Sequence, residues 1–288
     1  MEEIILKTWE EFEEHQRQLY RTRDELKKQK EPLAVSELLF RGQSDASWKL
    51  ETTLDRFVAD DLSLITYYKI ISAAKSRVET FTEKAWNLLS VNEFSEWMKS
   101  TSGFLMLGMP GYDYMVYLRH HGFPSPLLDW STSPYVAAFF AFNKVRDDTK
   151  SVAIYAFMEY MGSAKLMISG DDPTIRSLSE YVSTHKRHFL QQSRYTVCIR
   201  PTAEAGLFYG PHEHIVKSER PQQDRLWKFI LPATEKKKVL VHLNRYNINA
   251  FSLFGSEESL MEMIANKEFL INERHLDGIS YNRGYRKL

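Results

Sequence analysis

The sequence predicts a single α+β domain, with a helical N-terminal half packed on a central, mostly antiparallel sheet. Three observations predict it. Helical spacing of apolar residues dominates the early part of the chain. Runs rich in β-branched and aromatic residues, such as Ser151 to Tyr160 (SVAIYAFMEY), come later. No internal repeat or low-complexity linker divides the 288 residues, and connections are short, which favours one layered core over two. The division expected is an N-terminal helical extension over 1–33, a core over 34–255 and a C-terminal helix and tail over 256–288.

Taken in order, Trp9, Phe12, Leu19 and Leu26 fall near helical spacing among charges, so Thr8 to Lys28 reads as an amphipathic helix. Glu31-Pro32 ends it. Leu38-Leu39-Phe40 reads as a short strand stopping at a turn through Arg41-Gly42, a common place to present a side chain. Asp61 to Trp97 is mainly helical. Gly103 to Gly111 is a loop and Tyr112 to His121 a further helix. Leu127-Leu128 is a short apolar insertion between two turns, Gly122 to Pro126 and Asp129 to Pro134. Ser133 then caps a helix with Pro134 at its first position. Asp172 to Gln192 reads as helical. Arg194 to Arg200, Leu226 to Leu231 and Lys238 to Leu243 read as strands. Ser256 to Asn266 is a capped helix, and the chain after Asp277 reads as a loose tail.

Composition narrows the function classes. Lys plus Arg and Asp plus Glu balance at 38 each, so no overall basic charge draws the chain to a polyanion. Mean hydropathy is −0.42, and the longest apolar stretch, Pro134 to Phe142, is about half the ~20 residues a membrane span needs. The N-terminus lacks the basic and apolar regions of a signal peptide. With Cys198 alone, no internal disulfide forms. A cytoplasmic protein without a membrane partner is expected. The sequence does not give an oligomeric state.

Three segments, Phe40-Arg41-Gly42-Gln43-Ser44 with Trp48, Leu50 and Arg56, then His120 to Ser131 (HHGFPSPLLDWS) with Pro134, then Arg187 to Thr196 (RHFLQQSRYT), together resemble the FRG domain. Leu253-Phe254 resembles a late element of the same family. The resemblance runs from about Phe40 to Phe254. Two positions depart from the family pattern: Pro126 stands where an Arg is usual, and Ser193 where a Gly is. A second, shorter resemblance is to arginine-type ADP-ribosyltransferases. Phe40-Arg41-Gly42 is similar to their strand-end "YRG", and Ser131-Thr132-Ser133 to their "STS". This implies an ADP-ribosyltransferase-like fold, NAD as cofactor, and a protein or nucleic-acid acceptor. Where those enzymes carry a catalytic Glu, this chain has Gln191 and Gln192.

The candidate site follows. Arg41 forks onto a phosphate, unless it pairs with Asp129, Asp45 or Glu51. His121, beside the Gly122 turn, is chosen over His120 as the base or ribose ligand. Gln191 marks the acceptor side, with Arg41, His121 and Gln191 as the catalytic set. Gly42, Gln43, Asp129, Trp130 and Ser131 complete the nucleotide contacts with Arg41. Asp129 equally suits a turn, Trp130 a core position and Ser131 a cap. No metal site is expected: His185 and His188, and His212 with His214, lack a Cys pair or HExxH pattern. The leading expectation is an NAD-like nucleotide pocket with ADP-ribosyl-transfer chemistry, serving in bacterial or phage defence. A metal-independent nuclease or toxin and a non-catalytic binding module are the alternatives.

Overall fold

A computed structural model describes residues 1–29, 34–58, 62–100, 108–161, 173–179, 181–202, 206–212 and 224–271. The elements, in chain order, are β1 (Glu2–Ile5), α1 (Trp9–Leu26), β2 (Ala34–Gln43), α2 (Leu64–Thr82), α3 (Val91–Lys99), α4 (Tyr112–His120), β3 (Leu128–Ser131), α5 (Pro134–Asn143) and β4 (Ser151–Met161). There follow β5 (Thr174–Ser177), α6 (Lys186–Leu190), β6 (Ser193–Thr202), β7 (Gly206–Tyr209), β8 (Asp224–Pro232), α7 (Lys236–Arg245), α8 (Ala250–Phe254) and α9 (Glu257–Ala265).

The strands form one sheet in the order β1-β8-β4-β2-β3-β6-β5, with β7 also on β6. Among the described residues only the β1–β8 pair is parallel. This is the mixed, mostly antiparallel α+β architecture expected from the sequence. Both faces of the central strand are buried. Along β4, Val152, Ile154, Ala156 and Met158 enter one cluster with α1, α5 and α7, while Ala153, Tyr155 and Phe157 enter another. A third cluster joins α2, α3 and α4 to Tyr195, Val197 and Ile199 of β6. Two-sided burial explains why β4 is apolar almost throughout instead of alternating.

Local signals set several helices. Thr8 accepts from the Glu11 amide at the start of α1, and Ser133 from the Val136 amide at the start of α5. Ser256 and Ser259 form a reciprocal capping box at α9. Other expectations are corrected. β2 does not turn at Arg41-Gly42 but runs through to Gln43. Residues 128–131, read as an apolar insertion and a turn, are β3. The stretch Asp172 to Gln192 holds β5 and the five-residue α6 in place of one helix. Lys238 to Leu243 lies in α7, where Val239, Leu240 and Leu243 bury at helical spacing. Asp61 to Trp97 divides into α2 and α3, since Glu83 closes α2 in the left-handed conformation. Residues 103–107 of the expected Gly103 to Gly111 loop, and the expected tail, lie outside the described residues.

Candidate functional site

β2 and β3 pair at a single register position, Phe40 opposite Ser131, whereas β2 pairs with β4 along most of its length. Where the β2–β3 ladder runs out, a cleft of about 770 Å³ opens. Its walls come from β2 and the loop after it, from β3, from α5, and from α6 with the end of α8. The backbone is close-packed behind it: a Cβ on Gly42 would overlap the Ala137 carbonyl oxygen and crowd the Ala141 amide. Gly42 therefore lets α5 lie directly on β2, and this, not a turn, is the local need for glycine.

Arg41 reaches into the cleft from β2. Its Nη1 donates to the Asp129 carbonyl oxygen at 2.8 Å, and its buried Nε has no partner. Burial pushes the guanidinium down to about 10; Asp129 opposes the shift, and Arg119 and Arg56 add to it. Arg41 is still a cation at neutral pH. It is not an ion-pair partner of Asp129, Asp45 or Glu51 among the described residues.

Asp129 is held elsewhere. Arg119, on α4, forks onto both carboxylate oxygens and donates a further bond to Thr53 Oγ1 at 3.1 Å. Burial raises the Asp129 carboxyl, but Arg119, with Arg41 and His120 beyond it, outweighs burial and holds it below the usual carboxylate value. Arg119 is thus the lock on Asp129, coming from the preceding helix where position 126 offers only Pro. Nothing in the sequence marks it, because the partner lies ten residues on and across a turn.

Ser131 ties the motifs together. Its hydroxyl donates to the Gln191 carbonyl oxygen at 2.8 Å and accepts from the Ser133 amide at 3.0 Å. The Gln191 side-chain amide donates to the Leu253 carbonyl oxygen at 3.1 Å. Trp130 is a core residue at 3% exposure, with Nε1 donating to Thr196 Oγ1 at 2.8 Å. The Gln43 amide donates to the Lys49 carbonyl oxygen, and its own Oε1 is buried without a partner.

The histidine pair divides. His120 lines the cleft, with Nε2 at 2.8 Å from the Tyr195 hydroxyl, and burial lowers it to about 4. It is neutral at pH 7. His121 does not line the cleft. It is exposed at the end of α4, with its ring against Tyr117 and His185. The structure therefore brings together Arg41, Gly42, Gln43, Asp129, Trp130, Ser131 and Gln191, and replaces His121 by its neighbour.

Sequence reasoning also passed over the role of three motif residues. Trp48, 53% exposed, Arg56 and Arg187 all line the cleft. Arg187 lies over the Phe254 ring at 5.5 Å, and its buried Nε has no partner. The cleft cations Arg41, Arg56 and Arg187 form no ion pair among the described residues, whereas Lys49 faces Glu51 at 3.9 Å. The result is a concave, positively charged site with flat surfaces at Trp48 and Phe254. Such a site suits an anion bearing a planar ring. Among the described residues no three His, Cys, Asp or Glu side chains group to hold a metal, and His214 lies outside them. Cys198 is buried, its thiol donating to the Pro211 carbonyl oxygen at 3.6 Å.

Among the described residues no helix is long and apolar enough to cross a membrane. The family model of the FRG domain matches residues 36–150. No curated protein and no solved structure matches the chain.

Proposed function

Residues 36–150 make this chain an FRG-domain protein, and from that premise we propose that its cleft binds a nucleotide of the NAD or ADP-ribose type. The observation that supports this most is Arg41. It is a half-buried cation whose buried Nε has no partner, facing a cleft whose other arginines, Arg56 and Arg187, also form no ion pair among the described residues. A phosphate supplies the acceptors these groups lack. The three sequence motifs also stand side by side on neighbouring strands: Arg41 on β2, Ser131 on β3, and Gln191 at the entrance to β6. That order suits a ligand laid across the strand ends, with its phosphates at Arg41 and its flat ring at Trp48 or Phe254.

Transfer of ADP-ribose to a protein or nucleic-acid acceptor would use the same cleft. Neutral His120 is one group there able to accept a proton, beside the Glu51 carboxylate. Gln191, without charge, cannot stabilise an oxocarbenium-like centre as a carboxylate does, so the geometry supports binding more strongly than turnover. Isothermal calorimetry with NAD and with ADP-ribose tests the reading. Binding by the native chain is expected, with Arg41→Ala weakening it at least tenfold, or about 1.4 kcal/mol. No heat with either ligand would reject the reading.

One feature favours a second reading, a metal-independent nuclease. The cleft is basic and aromatic-lined although the chain as a whole is neutral. Arg41 would then meet phosphorane-like charge and His120 would act as base. Incubation with RNA and DNA, in EDTA and in magnesium, tests it, and intact substrates in both exclude it.

A further inference from the structure

The cleft's charges bear on which nucleotide it takes, an inference that rests on the nucleotide reading above. Among the described residues the cleft holds two carboxylates, and both have cationic partners: Arg119 forks onto Asp129, and Lys49 stands 3.9 Å from Glu51. Arg41, Arg56 and Arg187 form no ion pair among the described residues, although Glu258 feels the charge of Arg187. Arg187 is the one whose position matters most. It lies four residues before Gln191, on the wall that also carries Phe254, and its guanidinium covers the Phe254 ring. The flat surface on that wall is therefore topped by a positive charge. A neutral ring tolerates this arrangement. A ring that is itself a cation does not, because like charges in a partly desolvated cleft repel.

NAD⁺ and ADP-ribose share the same two phosphates. They differ in that NAD⁺ ends in a positively charged nicotinamide ring. We infer that the cleft discriminates between nucleotides by this charge, taking ADP-ribose-type diphosphates, which lack a cationic ring, in preference to NAD⁺. Gln191 fits the same logic: a carboxylate at that wall would attract the cationic ring, and an amide does not. The cleft then acts as a receptor for the nicotinamide-free nucleotide more than as a consumer of the oxidised cofactor.

NADH separates charge from size, since it keeps the ring and loses its positive charge. Competition binding on the full chain, with ADP-ribose, NADH and NAD⁺ at low ionic strength, gives the test. ADP-ribose and NADH are expected to bind roughly tenfold more tightly than NAD⁺, and the ratio should shrink as salt is added. Arg187→Gln should bring the three ligands together, whereas Arg187→Lys, which keeps the charge, should preserve the preference. NAD⁺ binding as tightly as NADH and ADP-ribose would overturn the inference and leave the nucleotide site standing. So would a preference unaltered in Arg187→Gln. Failure of all three ligands to bind would overturn the nucleotide reading itself. If Arg187→Gln does not fold, the salt dependence of the native ratio decides alone.

Discussion

Asp129 and Arg119 show how a single pair organises the cleft floor. The Arg119 side chain is 9% exposed and that of Asp129 is 42% exposed, so the pair is lodged between a surface bridge and a buried one. Replacing Asp129 by Asn leaves a mostly buried guanidinium without its counter-charge. The expected loss is about 2 kcal/mol, below the range for fully buried pairs because the carboxylate reaches solvent. The pH dependence has a definite sign. Asp129 is held below its usual value in the folded chain, so its contribution is complete above the unfolded carboxyl's range and is lost as pH falls through the folded value. Denaturant unfolding of native and Asp129→Asn protein across the acid range should show a gap at neutral pH that closes on acidification. A gap independent of pH would mean that the carboxylate's charge does not matter.

The pairing of β2 with α5 is the corresponding feature among the elements. Gly42 has no space for a methyl group against the Ala137 carbonyl and the Ala141 amide. Gly42→Ala should therefore push α5 off the sheet and cost about 3 kcal/mol, seen as a lowered denaturation midpoint. Because Arg41 is the adjacent residue, ligand affinity should fall with it. Helices such as α1, α5 and α9 were legible in the sequence, since Thr8, Ser133-Pro134 and Ser256 are local signals that need no distant partner. β3 was not, because four residues are too few to display an alternation, and its identity as a strand comes from pairing with β6. In α7, the run Val239 to Leu243 has strand-like composition, but packing against α5 overrides that preference. The site divided similarly. Arg41 and the Asp129 to Ser131 segment could be seen from motif order. The choice of His120 over His121, and the lock by Arg119, depend on helix rotation and a cross-turn contact that spacing does not encode.

For the whole molecule, the segment matched by the FRG domain is smaller than the folding unit that houses the cleft. It ends at residue 150, before β4, β6 and α6. β4 is the long neighbour of β2, β6 is the neighbour of β3, and Arg187 and Gln191 belong to the cleft wall after it. A fragment of residues 36–150 should then lack a stable sheet and have two open strand edges. Circular dichroism with heating should show no cooperative transition for it, and a cooperative one for the full chain. A sharply melting fragment would show that the first motifs fold independently.

The parallel pairing of Glu2–Ile5 with Trp227–Ile230 has a consequence during synthesis. The two halves of that ladder leave the ribosome 225 residues apart, a delay on the order of tens of seconds at ordinary elongation rates. Throughout that interval β1 has no strand to join, and α1 has only part of the apolar surface it eventually covers, because Phe229 and Leu231 have not been made. The N-terminal strand is thus among the last pieces to dock, and the closing step is slow because it joins such distant segments. Nascent chains stalled before residue 224 would expose Trp9 and Phe12 to whatever chaperone is at hand.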